Sequence, residues 1–255
     1  MLITVDIGNS SIGIGYFVPS GLVTQRLDTL PLLNAQAYAG ALAGFSDQNH
    51  IEKKDVRCII SSVVPGHTGV LQEAVDLFAG KAIGPLTVTH KVETGLCLKI
   101  SAPQTLGADR LTNASGAFAL YQKAVAVVDF GTATTITMVD EKANLIGGAI
   151  MPGLRLMSAA LGTMTSLLGE VPPEKPDSAL GRDTEAAIRS GLFYGTAGAV
   201  ERIIAEVEGE TGAHFITVIT GGHCLAMQQY MTGPCEKRSD LIHEGLRIIY
   251  EKNRP

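Results

Sequence analysis

The chain has 255 residues, 45% of them apolar and only 18% charged, with a formal net charge of −5. That composition excludes a disordered chain, and the acidic balance argues against a surface built to bind nucleic acid. No apolar run approaches the roughly 18 residues of a spanning helix, and no basic region precedes an apolar one at the N-terminus, so a cytoplasmic protein without a membrane partner is expected.

In chain order, residues 2–7 (LITVDI) read as an apolar strand. A turn at Gly8, Asn9 and Ser10 leads to 11–17 (SIGIGYF), the returning strand of a hairpin, and 23–27 (VTQRL) alternates like a third strand. Asn34 is placed to cap a helix over 35–45. Residues 56–63 read as a buried strand; Pro65 and Gly66 break it, and 70–78 has helical spacing. A further helical pattern covers 111–121, with Asp109 and Arg110 in its first turn.

The order then repeats. Residues 124–129 are a strand, Gly131 to Ala133 a turn, and 134–139 a returning strand. Residues 144–151 form the third strand, ended by Pro152 and Gly153, and 154–161 read as a helix. Residues 215–220 are a strand that passes through Gly221 and Gly222 into a helical 223–230. The last helix, 240–250, carries Leu241, Ile242, Leu246, Ile249 and Tyr250 on a packing face. Connectors at 80–85 and 171–182 are rich in Pro or Gly and are expected to be exposed.

This is an internal duplication of a β-β-β-α-β-α unit, and it predicts an α/β fold of two similar lobes with a ligand cleft between them. The lobes are expected at 1–115 and 116–255. Each opens with the same punctuation: Asp6-Ile7-Gly8 and, 123 positions later, Asp129-Phe130-Gly131. Each Asp sits where a strand gives way to a turn. The glycines permit positive φ and close approach of the backbone to a ligand. Asn9, Ser10, Ser11, Thr132 and Thr134 offer donors to phosphate oxygens, and the carboxylates would act on phosphate through a cation. The alternative is a pair of Asp-x-Gly turns in which each Asp caps its own backbone. Two copies in duplicated lobes favour a nucleotide site. Neither G-x-x-x-x-G-K-[ST] nor G-x-G-x-x-G is present.

Gly107-Ala108-Asp109-Arg110 opens a helix. Asp109 could merely favour the helix dipole. It could instead be an acid–base carboxylate beside a guanidinium that holds an anionic substrate. The six histidines show no metal-ligand spacing, and the four cysteines are widely separated with no C-x-x-C pair.

The segments Asp6–Ser10, Gly107–Arg110, Asp129–Thr135, Gly181–Thr184 and Thr220–Gly222 occur in an order and spacing that resemble the type III pantothenate kinases. The resemblance covers essentially the whole chain. It implies two duplicated ribonuclease-H-like lobes, as in acetate kinase, sugar kinases, heat-shock proteins and actin, with an ATP cleft. It also implies phosphorylation of pantothenate to 4′-phosphopantothenate, the first step towards coenzyme A. By position, Asp6, Ile7, Gly8, Asn9, Ser10, Ser11, Ile12 and Gly13 look like the ATP phosphate loop, and Thr132 like a second ATP contact. Asp109 resembles the general base. Gly107, Ala108, Asp109 and Arg110, with Thr184, resemble the pantothenate contacts. Asp129 resembles the ligand of a monovalent cation, K+ or NH4+, needed besides Mg2+. A homodimer is implied as well. Asp183 stands where Asn is frequent, and Ile100 where members often carry Tyr. Two alternatives remain: a kinase of another small hydroxy compound, such as a sugar, and a non-catalytic accessory factor for transcription.

Overall fold

The computed structural model describes residues 1–254. The chain forms two compact units. One comprises residues 1–95, 101–116 and the chain from Ile242 onward; the other comprises 96–100 and 117–241.

In the first unit, β1 (Leu2–Ile7), β2 (Ser11–Val18) and β3 (Gly21–Asp28) form an antiparallel meander. Helix α1 (Ala35–Gln48) crosses over to β4 (Arg57–Ser62), which lies parallel to β1; after α2 (Pro65–Ala79), a short β5 (Leu86–Thr87) completes the order β3-β2-β1-β4-β5. The alternation of β1 decides its two faces. Ile3, Val5 and Ile7 join Ile12, Ile14, Tyr16, Tyr38, Leu42 and Leu71 in the apolar core. Thr4 and Asp6 therefore face the other side. Asn34 caps α1, its side chain accepting from the Ala37 N–H at 2.8 Å, as the sequence implies. Helix α2 begins at Pro65, five residues earlier than its spacing suggests. Proline ends a strand but suits a first helical turn, where its missing N–H loses no hydrogen bond.

A short strand β6 (Cys97–Leu98) belongs to the second unit, and α3 (Ala108–Tyr121) begins in the first. Strands β7 (Val125–Phe130), β8 (Ala133–Val139) and β9 (Asn144–Pro152) repeat the meander. Helices α4 (Leu154–Met164), α5 (Thr184–Ser190) and α6 (Thr196–Thr211) precede β10 (Ile216–Thr220), which lies parallel to β7. After α7 (Cys224–Met227), β11 (Cys235–Lys237) closes the order β11-β10-β7-β8-β9-β6, and α8 (Leu241–Lys252) ends the fold. Apart from β6, the second sheet has the same strand order as the first, so the duplication expected from the sequence is present in the topology. Val128 and Phe130 enter the core with Ile136, Phe193, Val200 and Ile219, and Asp129 takes the opposite face.

Three local expectations differ. Helices α5 and α6, joined by a π-helical turn over Gly191–Gly195, were not signalled by the pattern. The helix expected at 223–230 is one α turn followed by a 3-10 turn at Gln228–Tyr230. The 171–182 connector is exposed over most of its length, but Val171 is buried, and its backbone exchanges hydrogen bonds with the Ser158 hydroxyl.

Candidate active site

In the first unit, Asp6 is the penultimate residue of β1 and pairs across the ladder with Gly13. The three-residue turn that follows is closed by a bond from the Gly8 N–H to the Ser11 carbonyl at 3.0 Å. Gly8 does not adopt the positive φ that glycine permits. Its lack of a side chain serves close approach instead: a Cβ there would lie 3.1 Å from the Ser11 oxygen. Asn9 and Ser10 are exposed. Ile7 and Ile12 are fully buried in the apolar core.

Beneath this hairpin lies a residue that the sequence reading left among ordinary histidines. His243 of α8 is buried, and its Nδ1 is 2.9 Å from the Thr4 hydroxyl. The hydroxyl donates to the Gly15 carbonyl at 3.3 Å, so it accepts from Nδ1–H. The ring occupies the space where side chains at 13 and 15 would stand: a Gly13 Cβ would meet Nε2 at 3.4 Å, and a Gly15 Cβ would meet Nδ1 at 2.8 Å. Two glycines inside one strand were the available signal, because strand glycines mark close approach of another group.

The Gly107–Arg110 turn is tied to the same hairpin. The Val63 N–H donates to the Ile7 carbonyl at 3.0 Å, and the Val63 side chain lies 3.7 Å from where a Gly107 Cβ would be. Gly107 accepts the first helical bond of α3, from Leu111 N–H. Asp109 folds back over this turn. Its Oδ1 accepts the Arg110 N–H at 2.8 Å and occupies space that any side chain at 107 would fill. Both readings of Asp109 therefore have a physical basis: one oxygen serves the helix start, and Oδ2 makes no side-chain hydrogen bond among the described residues. Burial pushes the Asp109 carboxyl above the ordinary carboxylate range, with the Arg110 amide and guanidinium partly opposing it.

In the second unit, Asp129 occupies the place in β7 that Asp6 occupies in β1. The turn here is two residues, one shorter, and is closed by Gly131 N–H to the Ala133 carbonyl at 3.1 Å. The Thr132 carbonyl accepts the Gly153 N–H at 3.0 Å, which docks the start of α4 on the turn. The Thr220-Gly221-Gly222 turn is stitched to the end of β7 by His223 N–H to the Phe130 carbonyl at 3.0 Å. Gly221 has φ +89°, and a Cβ there would overlap the Asp129 carboxylate. Asp129 thus lies against two glycine turns. Gly221→Ala should lower stability by about 2–4 kcal/mol, through combined overlap and left-handed strain, as read by thermal or denaturant unfolding.

Thr184 is exposed at the first turn of α5. Asp183 caps that helix by accepting the Ala186 N–H at 2.8 Å, a task Asn performs equally well. Gly181 is required because any side chain there would overlap the Ala187 backbone. Thr184 stands on the rim of an open apolar groove of about 1060 Å³, lined by Leu156, Leu161, Met164 and Ile188 among others.

The sequence profile described as type III pantothenate kinase matches residues 2–206. This chain belongs to the type III pantothenate kinase family. Relatives of that name are 35% identical to it in Dehalococcoides mccartyi, over 99% of this chain and 96% of the relative, and in Moorella thermoacetica, over 99% and 100%. Among solved structures, a protein described as a Baf family transcriptional activator from Campylobacter jejuni has a TM-score of 0.62 at 18% identity, covering 98% of each chain. A protein from Sinorhizobium meliloti described as a 2-dehydro-3-deoxygalactonokinase has a TM-score of 0.56 at 14% identity, covering all of both chains. An activator of 2-hydroxyisocaproyl-CoA dehydratase from Clostridium difficile, with ADPNP bound, has a TM-score of 0.57 at 10% identity, covering 98% of this chain and 95% of that one. At these identities the structural likeness establishes the fold of this chain alone.

Proposed function

We propose that this chain transfers the γ-phosphoryl group of ATP to the primary hydroxyl of pantothenate, giving 4′-phosphopantothenate for coenzyme A. The observation that carries the reading is family membership over nearly the full length, together with an Asp109 whose carboxyl is desolvated at the start of α3. Phosphoryl transfer passes through a loose transition state, so the protein's task is mainly to position the reactants and neutralise charge.

The roles follow the chemistry. The Asp6–Gly13 hairpin receives the ATP phosphates through backbone amides and the Ser10 and Ser11 hydroxyls, and Thr132 supplies a second contact. Asp109 orients the pantothenate hydroxyl and accepts its proton as the bond to phosphorus forms. Arg110 neutralises the pantothenate carboxylate, and Gly107, Ala108 and Thr184 complete that substrate's surroundings. A lone carboxylate at Asp6 suits Mg2+, which prefers to keep waters and substrate phosphates as its other ligands. Asp129, against which the Gly131 and Gly221 turns lie, is the proposed contact of a monovalent cation, K+ or NH4+. These ions would offset phosphate charge when bound.

As sequence repeats the two halves are assigned to 1–115 and 116–255, with α8 grouped in the first compact unit and β6 in the second. A homodimer accords with the exposed apolar side chains near the Thr184 groove, where Met164 is 83% and Leu167 93% exposed. Among the described residues no helix is long and apolar enough to cross a membrane, and the cytoplasm is the proposed location.

The test is a coupled assay of ADP release with pantothenate, run first in potassium and then in sodium. Pantothenate-dependent turnover with Mg2+ and potassium is expected, falling in sodium. Absence of such turnover, or equal turnover with a sugar, would defeat the proposal. The accessory-factor alternative predicts no turnover at all.

A further inference from the structure

The turn of the phosphate hairpin is gripped from one side by a single residue outside every motif. The Thr29 hydroxyl donates to the Gly8 carbonyl at 2.7 Å, and the Thr29 N–H donates to the Ser10 carbonyl at 3.4 Å. Thr29 directly follows β3 and is 2% exposed. A trans peptide is planar, so each carbonyl points opposite to the N–H of the next residue. Turning the Gly8 carbonyl onto Thr29 turns the Asn9 N–H away from it. Turning the Ser10 carbonyl does the same for the Ser11 N–H. Two amides are thereby aimed at the side of the turn opposite Thr29, as in the backbone nests that bind anions. The Asn9 N–H meets no backbone or side-chain acceptor among the described residues.

Thr29 is held in turn. His67, in the first turn of α2, is 5% exposed, and its Nε2 lies 2.8 Å from the Thr29 carbonyl. A carbonyl can only accept, so Nε2 carries the proton. Nδ1 is buried without a partner. An apolar residue in this place would take the donor away from the buried Thr29 carbonyl, so the bond to Thr29 is what an imidazole contributes here.

We propose that Thr29, fixed by His67, is a positioning residue for ATP: it presets the Asn9 and Ser11 amides towards the phosphates. The proposal rests on reading the Asp6–Gly13 hairpin as the phosphate loop. Its effect is preorganisation, since amides already aimed need no reordering when the nucleotide arrives.

Thr29→Val removes the hydroxyl at nearly constant shape, and Thr29→Ser restores it. In Thr29→Val the KM for ATP should rise about tenfold, while the KM for pantothenate stays within about twofold. Thr29→Ser should return the KM for ATP to near the wild-type value. His67→Leu should shift the KM for ATP in the same direction by a smaller factor, and it carries the test if Thr29→Val does not fold. A residue that served stability alone would lower Tm and leave the ratio of the two KM values unchanged. That result, or a failure of Ser to rescue, overturns the proposal. Calorimetric titration with Mg·ATP in the absence of pantothenate separates this question from the choice of substrate. If the wild-type protein binds ATP but does not phosphorylate pantothenate, the functional reading fails while Thr29 is still judged: weaker nucleotide binding by Thr29→Val supports its role, and equal binding rejects it.

Discussion

Asp109→Asn is expected to abolish turnover while making the unliganded protein more stable. In the proposed role of base, Asp109 would contribute on the order of 10²–10⁴-fold, so kcat should fall by that range with little change in the KM for ATP. The stability effect has a definite sign. Burial raises the folded-state pKa of Asp109 above its unfolded value. Between those two values the native state holds the proton more tightly than the unfolded chain, so stability falls as pH rises through that window. Above the folded pKa the full penalty remains. Asn carries no charge to desolvate and retains an oxygen that can accept the Arg110 N–H, so Tm at neutral pH should rise. The acid limb of the wild-type rate profile should also lie above the ordinary Asp pKa, because the base must be ionised. A variant with near-normal turnover removes Asp109 from the base role. One with lowered Tm at pH 7 and wild-type Tm in acid contradicts the sign of the pKa shift.

Most of the fold was legible because strand periodicity and the repeated Asp-x-Gly punctuation pointed the same way. The apolar runs 2–7 and 124–129 were read as strands ending near Asp6 and Asp129, and both strands are present, each Asp being the penultimate residue of its strand. Helix α6 was harder to read. Its buried residues Ala197, Val200 and Ile204 do have helical spacing, but Gly191, Gly195 and Gly198 interrupt the approach, and the chain enters through a π turn. Of the candidate site, the catalytic types at motif positions were visible, whereas their supports were not. Thr29, His67 and His243 act through tertiary contacts that join residues 21, 38 and 239 positions apart, and no local pattern records them. Of the two properties read for Gly8 and Gly131, positive φ is not used, and the close approach is to the protein's own Ser11 carbonyl and Asp129 carboxylate. Gly221 is the turn that needs the left-handed conformation.

Asp129→Asn should change the response to potassium, while Asp6→Asn should change the response to Mg·ATP. The two carboxylates hold equivalent places in the repeats, yet their turns differ. The turn that follows Asp6 and Ile7 has three residues, of which Asn9 and Ser10 are exposed. The turn that follows Asp129 and Phe130 has two, with the Gly131 and Gly221 turns closing on the Asp129 carboxylate and the Thr132 carbonyl already engaged by Gly153. Such a confined site favours a single small charge, which one carboxylate neutralises and neutral oxygens complete. Loss of that charge in Asp129→Asn should lower kcat by about tenfold to a hundredfold and raise the potassium concentration for half-maximal rate, with the KM for Mg·ATP changed less. Asp6→Asn should show the reverse: a large rise in the KM for Mg·ATP and an unaltered potassium midpoint. Thermal unfolding of both variants, measured without ligands, checks that each is folded under assay conditions. If the two variants give the same cation and nucleotide profiles, the repeats are functionally equivalent and the division of labour between Asp6 and Asp129 is wrong.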